Sequence, residues 1–215
     1  MASDTFTVIA IDGPAGSGKS TIGKLLGERL GLEYLDTGAM YRGVTFAALR
    51  RAIDPSDADV IARLAPEVEL TLSEGRLIVD GVDATIEIRG PEVTRAVSLV
   101  AANPAVRKEL VRRQREWAQE RDGGVLEGRD IGTVVFPDAK LKVYLTASPE
   151  VRAQRRSKEV TDLDYETVAA DIAKRDALDQ GREASPLTEA PDAVIVDTSN
   201  RSIEDIVTEL LSYVS

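Results

Sequence analysis

The chain has 215 residues, 43% of them hydrophobic and 30% charged, a balance that fits a single soluble globular domain with room for a small insertion and excludes wholesale disorder. It contains no Cys and no His, which removes disulfides, thiolate and imidazole metal sites and the Ser/His or Cys/His triads; base or nucleophile chemistry must fall to Asp, Glu or Lys. A net charge of −10 argues against bulk nucleic-acid or anionic-membrane binding, so any phosphate ligand must be met by a local basic site.

In chain order, Phe6 to Ile11 reads as a buried strand and Lys19 to Leu30 as a helix with Ile22, Leu25, Leu26 and Leu30 on its apolar face. Glu33 to Leu35 is a second short strand, and Ala39 to Ala52 follows a helical pattern. Over residues 66 to 86 the period changes: Val68, Leu70 and Leu72 alternate, Ser73-Glu74-Gly75 turns, Leu77 to Val79 is a strand and Asp80-Gly81 turns again. This predicts an antiparallel insertion. Asn103-Pro104 opens a long helix to about Arg121. Gly124 to Glu127 and Leu141 to Thr146 are strands, Ser148-Pro149 opens a basic helix, Tyr165 to Leu178 is helical, Ala193 to Val196 is a strand, and Ser202 caps a closing helix to Tyr213. Alternating strands and helices predict an α/β fold with a parallel sheet covered on both faces. The expected organisation is one domain over 1–215, with an insertion at about 60–93 and a short lid at about 152–165. No apolar run of about 18 residues and no secretory signal pattern occurs, so the expected location is the cytoplasm.

Gly13-Pro14-Ala15-Gly16-Ser17-Gly18-Lys19-Ser20 matches G-x-x-x-x-G-K-[ST] in full, after an apolar strand and before a helix. The glycines let successive backbone N–H groups turn inward around phosphate oxygens, and the helix N-terminus adds its positive end. Residues Gly13 to Thr21 are therefore the candidate ATP-binding loop, with Lys19 reaching the β- and γ-phosphates and the Ser20 hydroxyl on Mg²⁺. No guanine-reading N-K-x-D string is present, which disfavours a GTPase switch.

Five segments go further: IDGPAGSGKS at 11–20, YLDTGAMYR at 34–42, IRGPEVTRAVSLVAANPAVR at 88–107, EGRDIGTVVFPDA at 127–139 and KRDALDQGREASPL at 174–187. With these, in this order across nearly the whole chain, the sequence closely resembles bacterial cytidylate kinases, nucleoside monophosphate kinases with an enlarged monophosphate-binding insertion. The resemblance implies a P-loop NTPase fold and Mg²⁺-dependent transfer of the ATP γ-phosphoryl group to CMP or dCMP. It implies that Thr37, Arg42, Arg129 and Arg182 meet the acceptor on its phosphate side, Arg129 and Arg182 together with Lys19 as the catalytic charges. Two anionic phosphates must approach to bonding distance, and forked guanidinium groups suit that task.

It further implies that Ser98, Arg107 and Asp130 surround the base, where a carboxylate would accept from the cytosine amine and face an unsatisfied acceptor in uracil. Ser98 has an alternative as a hydroxyl bonded to its own helix backbone. Arg175 and Asp179 match positions near the acceptor ribose, although an i,i+4 ion pair explains the same spacing. Arg155 and Arg156 are the candidate lid contacts to ATP, and spacing does not choose between them. Asp36 either holds a Mg²⁺-bound water or caps the next helix. The expected partners are ATP and CMP or dCMP, with no nucleic acid and no membrane, on a monomer. The competing readings are a kinase for another small acceptor and a nucleotide-sensing switch.

Overall fold

In the computed structural model, residues 6–73, 75–159 and 164–214 are described. Glu74 of the expected turn and residues 160–163 of the expected lid lie outside them. The elements are β1 (Thr7–Asp12), α1 (Lys19–Leu30), β2 (Tyr34–Asp36), α2 (Thr37–Arg50), α3 (Ala58–Glu67), β3 (Leu70–Ser73), β4 (Arg76–Val79) and β5 (Val82–Asp83). They continue with α4 (Pro91–Ala102), α5 (Pro104–Gln119), β6 (Gly123–Gly128), β7 (Leu141–Thr146), α6 (Pro149–Glu159), α7 (Tyr165–Gln180), β8 (Val194–Asp197) and α8 (Ile203–Ser212).

Strands β1, β6 and β7 are buried almost throughout, as apolar strands covered on both faces must be. They lie in a five-stranded parallel sheet of order β2-β6-β1-β7-β8, which is the sheet the strand-helix alternation predicts. Helices α1 and α8 supply Ile22, Leu26, Ile206, Val207 and Leu210 to its core. The register puts Asp12 at the end of β1 opposite Gly128 at the end of β6 and opposite Tyr144 in β7. Strand order reverses next to β1, so the loops leaving β1, β6 and β7 emerge side by side at the carboxyl ends of the strands, the edge at which open α/β sheets bind their ligands.

The chain divides into two compact units, one made of the residues up to Leu35 with Trp117 onward, the other of Asp36–Glu116. The second unit holds the antiparallel sheet β3-β4-β5 and is wider than the expected 60–93 insertion. Helix α2 packs directly on that sheet: a Cβ on Gly43 would stand 2.7 Å from Leu70 and 3.2 Å from Leu77. Helix α3, capped by the Asp57 carboxylate on the Val60 amide, was not among the expected elements. It is short and buries only Ile61, Leu64 and Ala65, and Pro66 sits inside it. Val68, expected to alternate with Leu70, is instead the buried end of this helix.

Gly123 opens β6 with φ +123°, and a Cβ there would stand 2.0 Å from the Thr7 carbonyl oxygen. The clash is with backbone, which cannot swing aside. Gly123→Ala should therefore cost about 2–3 kcal/mol, from overpacking and an unfavourable φ together. Urea unfolding checks this, with a midpoint at or above that of the unsubstituted protein as the contrary result.

Candidate active site

The loop from Gly13 to Gly18 turns through φ +147°, +76° and +91° at Gly13, Gly16 and Gly18, a path open to glycine alone at low cost. At Gly13 space is also decisive, since a Cβ would lie 2.1 Å from the Leu145 carbonyl oxygen in the neighbouring strand. Gly18 precedes α1 without a side-chain cap, so no side chain occupies the first amides of that helix. Lys19 is the first helical residue and is 8% exposed; its ammonium donates to the Pro14 carbonyl at 2.8 Å, folding over the loop it belongs to. Burial pushes its pKa down to about 7, and the charge of Arg129 adds to the effect, while Glu127 and Asp12 oppose it.

The Ser20 hydroxyl donates to Glu127 Oε1 at 2.7 Å, which joins the helix start to the end of β6. These are hard oxygen donors of the kind Mg²⁺ takes, and among the described residues no cluster of three or more acidic side chains offers a fuller cage. Such a sparse donor set fits Mg²⁺, which keeps waters and phosphate oxygens as its remaining ligands. Thr21 lies exposed one residue further along α1.

Helix α6 carries the three arginines that spacing left unsorted. Arg152 is buried and spent on structure: it donates to the carbonyls of Ala147 and Ala15 and pairs with Asp176. The other Asp176 oxygen lies 3.4 Å from the Ala15 amide, so the pair grips the outer limb of the loop. Arg155 donates to the Gly16 carbonyl at 3.3 Å and to Thr198 at its hydroxyl and carbonyl, at 2.9 and 2.7 Å. Arg156 instead lies within the electrostatic reach of Arg175 on α7.

Beyond β6, Arg129 Nε donates to Asp179 Oδ2 at 2.9 Å. Arg182 approaches Asp179 Oδ1 at 3.5 Å and Arg175 Nε approaches Oδ2 at 4.0 Å. The Leu187 amide donates to the Asp179 carbonyl at 2.8 Å, folding the chain after α7 back so that Arg182 stays beside the helix. Three guanidinium groups thus converge on one carboxylate. Burial pushes Arg175 down to about 10, with repulsion from Arg129 next in weight. For Arg129 burial is outweighed by Asp179, with Glu127 and Asp176 adding to it, so its pKa rises. Asp179 is held below the ordinary carboxylate range because Arg129, Arg175 and Arg182 together overcome its burial. Such a centre favours an anion with several oxygens. Asp130, next to Arg129, is buried, and its carbonyl accepts from the amides of Val134 and Val135 in a single π-type turn over Ile131–Val135.

In the Asp36–Glu116 unit, Asp36 caps α2 by accepting from the Ala39 amide at 3.1 Å and stands 3.5 Å from Arg89. The expected cap is thus present; the carboxylate in contact with Ser20 is Glu127. Thr37 is buried at the start of α2. Arg42, one face further along that helix, is buried and donates through Nη1 to the Ile88 carbonyl at 2.9 Å and the Thr94 hydroxyl at 3.0 Å. Ser98 is half-buried on α4. Arg107 on α5 is buried, donates to the Ala101 carbonyl at 3.1 Å and lies 5.3 Å above the Tyr41 ring. Among the described residues no helix is long and apolar enough to cross a membrane.

The profile of the cytidylate kinase family matches residues 9–215. The chain belongs to the cytidylate kinase family. It is 51% identical to the cytidylate kinase of Mycolicibacterium paratuberculosis over 98% of this chain and 95% of that protein. It is 49% identical to the cytidylate kinase of Desulforamulus reducens, over 96% of each. A gluconokinase from Sinorhizobium meliloti superposes with a TM-score of 0.50 at 16% identity, covering 97% of this chain and 91% of the other, a likeness of fold alone.

As a cytidylate kinase family member the chain is a phosphotransferase that uses ATP to phosphorylate a nucleotide. Within this kinase, sequence reasoning did not single out Glu127, Asp12 or Asp176 as site residues. The one available signal was chemical: Glu127 is a charged residue in the otherwise apolar and glycine-rich strand GGVLEG, and Asp12 closes the apolar run of β1. A buried charge in such a strand needs a partner, and only the pairing of β1 with β6 reveals which.

Proposed function

We propose that this kinase transfers the γ-phosphoryl group of ATP in line to the phosphate of CMP or dCMP. The observation that carries the reading is the convergence of Arg129, Arg175 and Arg182 on Asp179, within electrostatic reach of the P-loop lysine. An isolated nucleotide sensor has no need of a second, strongly cationic centre beside the first; a transferase moving charge between two phosphates does.

Lys19 leaves the Pro14 carbonyl for the β- and γ-phosphates, and the amides of Gly13 to Thr21 bind the donor with Arg155 and Arg156 of the lid helix. Mg²⁺, held through Ser20 and Glu127, would neutralise β- and γ-phosphate charge. Arg129 and Arg182 stabilise the transferring group, and Thr37 and Arg42 hold the acceptor phosphate in line. Arg175 and Asp179 take the ribose. Asp130 accepts from the cytosine amine, with Arg107 donating to the ring acceptors and Ser98 completing the base contacts.

Acceptor-stimulated ADP release tests this. CMP and dCMP should stimulate release strongly, with kcat/KM for UMP lower by about a hundredfold, because uracil sets a carbonyl against Asp130 where cytosine offers its amine, and with AMP a poorer acceptor than either cytidylate. A shikimate-like acceptor should do nothing. Release unaffected by any acceptor would favour a switch.

A further inference from the structure

Thr198 is the first residue after β8 and is 2% exposed. Its amide donates to the Thr146 carbonyl at 2.8 Å, which carries the pairing of β8 with β7 one bond further, so the sheet fixes its backbone. Its hydroxyl is used twice. Oγ1 accepts from Arg155 Nη1 at 2.9 Å and donates to the Ser17 carbonyl at 3.0 Å, 181 residues away in sequence. A guanidinium can only donate, so the single hydroxyl proton goes to the phosphate-binding loop.

Ser17 is one of a series. Four successive carbonyls of the loop are taken by side chains: Pro14 by Lys19 Nζ at 2.8 Å, Ala15 by Arg152 Nη1 at 3.1 Å, Gly16 by Arg155 Nη1 at 3.3 Å, and Ser17 by Thr198. The last three are bound by α6 and by the residue that follows β8, and α6 stands close: a Cβ on Gly16 would lie 2.9 Å from the Arg152 carbonyl oxygen. In a trans peptide the C=O and the next N–H point to opposite sides, and no peptide bond among the described residues is cis. Fastening the carbonyls of Ala15, Gly16 and Ser17 therefore turns the amides of Gly16, Ser17 and Gly18 away from those side chains. Glycine does not make that choice for itself, since it adopts either sign of φ at little cost; the side-chain ties make it.

We propose that Thr198 is a positioning residue for the ATP phosphates: by holding the Ser17 carbonyl it keeps the Gly18 amide turned toward them, and by the same hydroxyl it anchors Arg155 beside Gly16. The proposal rests on the reading of Gly13 to Thr21 as the donor loop. Thr198 touches neither substrate in this scheme. It lends the stiffness of the sheet to a loop whose glycines have none.

The test is the dissociation constant of a non-hydrolysable ATP analogue, set against that of CMP. Thr198→Val keeps the branched shape but puts a methyl group against the Ser17 carbonyl, which loses its donor. The constant for the analogue should rise about tenfold, while that for CMP stays within about twofold. Thr198→Ser keeps the proton and the acceptor, and should bind the analogue within about twofold of the unsubstituted protein. Because the hydroxyl also anchors Arg155, Arg155→Met is compared with and without Thr198→Val. The second substitution should weaken the analogue about threefold further, since only it removes the bond to Ser17.

A merely structural hydroxyl would lower the melting midpoint and leave the analogue alone; unchanged analogue binding in folded Thr198→Val overturns the proposal. Thr198→Ser binding no better than Thr198→Val overturns it too, as does the lack of any further effect in the Arg155→Met background, which would leave Thr198 an anchor for Arg155 only. Turnover of Lys19→Met separates the two readings. If that variant loses turnover while Thr198→Val binds normally, positioning fails and the donor loop stands; if it keeps turnover, the donor-loop reading fails and the proposal falls with it. Should Thr198→Val not fold, Thr198→Ala removes the hydroxyl without placing a methyl group against the carbonyl, and should weaken the analogue about threefold. Unchanged binding in folded Thr198→Ala overturns the proposal as well.

Discussion

Lys19→Met is expected to lower kcat by about a thousandfold while leaving the protein folded. The substitution removes the one ammonium placed at the start of α1, where charge on the β- and γ-phosphates is redistributed during transfer. It does not remove packing, because Met fills the space of the lysine stem. Nor does it strip the fold of a favourable charge. Burial and the nearby Arg129 already press Lys19 toward its neutral form, so the native state stores an unfavourable cation there. The melting midpoint of Lys19→Met should accordingly equal or exceed that of the unsubstituted chain, and circular dichroism should be unchanged. Turnover within about tenfold of the unsubstituted enzyme would remove Lys19 from the reaction.

Arg129→Met is expected to lower kcat/KM for the acceptor by about a hundredfold to a thousandfold. Arg129 is the member of the arginine group that makes the shortest bond to Asp179, at 2.9 Å, and the one whose charge weighs on both Lys19 and Arg175. Arg129→Lys should recover little. A single ammonium can occupy the Asp179 bond or reach a phosphate oxygen, whereas the guanidinium fork does both at once. The acid side of the stability curve offers an independent reading. The pKa of Asp179 lies below its ordinary value of 3.8 because Arg129, Arg175 and Arg182 outweigh its burial. A depressed carboxylate contributes stability that is present above its unfolded pKa and lost as pH falls through its folded one. In Arg129→Met that contribution shrinks, so the stability gap between variant and parent should be widest near neutrality and narrow as pH drops below about 4. Equal kcat/KM in Arg129→Met, Arg129→Lys and the parent would place Arg129 outside the transfer chemistry.

Local chemistry made much of the fold legible. The helix over Lys19–Leu30 and the strand over Leu141–Thr146 have the bounds read from their apolar patterns, and Ser202 caps the last helix as its spacing with Asp205 suggests. These are short-range signals: a periodic apolar face, a run of apolar residues, a hydroxyl on an amide three residues on. Helix α3 escaped because it is only ten residues long, has a proline inside, and runs into the alternating segment from Val68, so its last turn reads as the approach to a strand. The turn at Ile131–Val135 escaped for another reason, since its first amides are satisfied by Asp12 in a different strand and leave no local capping signature.

What the sequence determined by itself was the parallel α/β sheet and the phosphate-binding loop between β1 and α1, because both are written in neighbouring residues. Tertiary structure decided how the charged side chains are divided among tasks. Arg152, Arg155 and Arg156 look equivalent along one helix, yet the first grips the Ala15 limb of the loop and the second binds Thr198, while the charge of the third is felt at Arg175. Asp36 spends its carboxylate on a helix cap, and Glu127, 107 residues from Ser20, takes the contact with that hydroxyl. A charge in water is indifferent to its neighbours beyond a few ångströms, but a buried one must be paired. The pairing partner is chosen by strand order and register, which no local pattern of residues records.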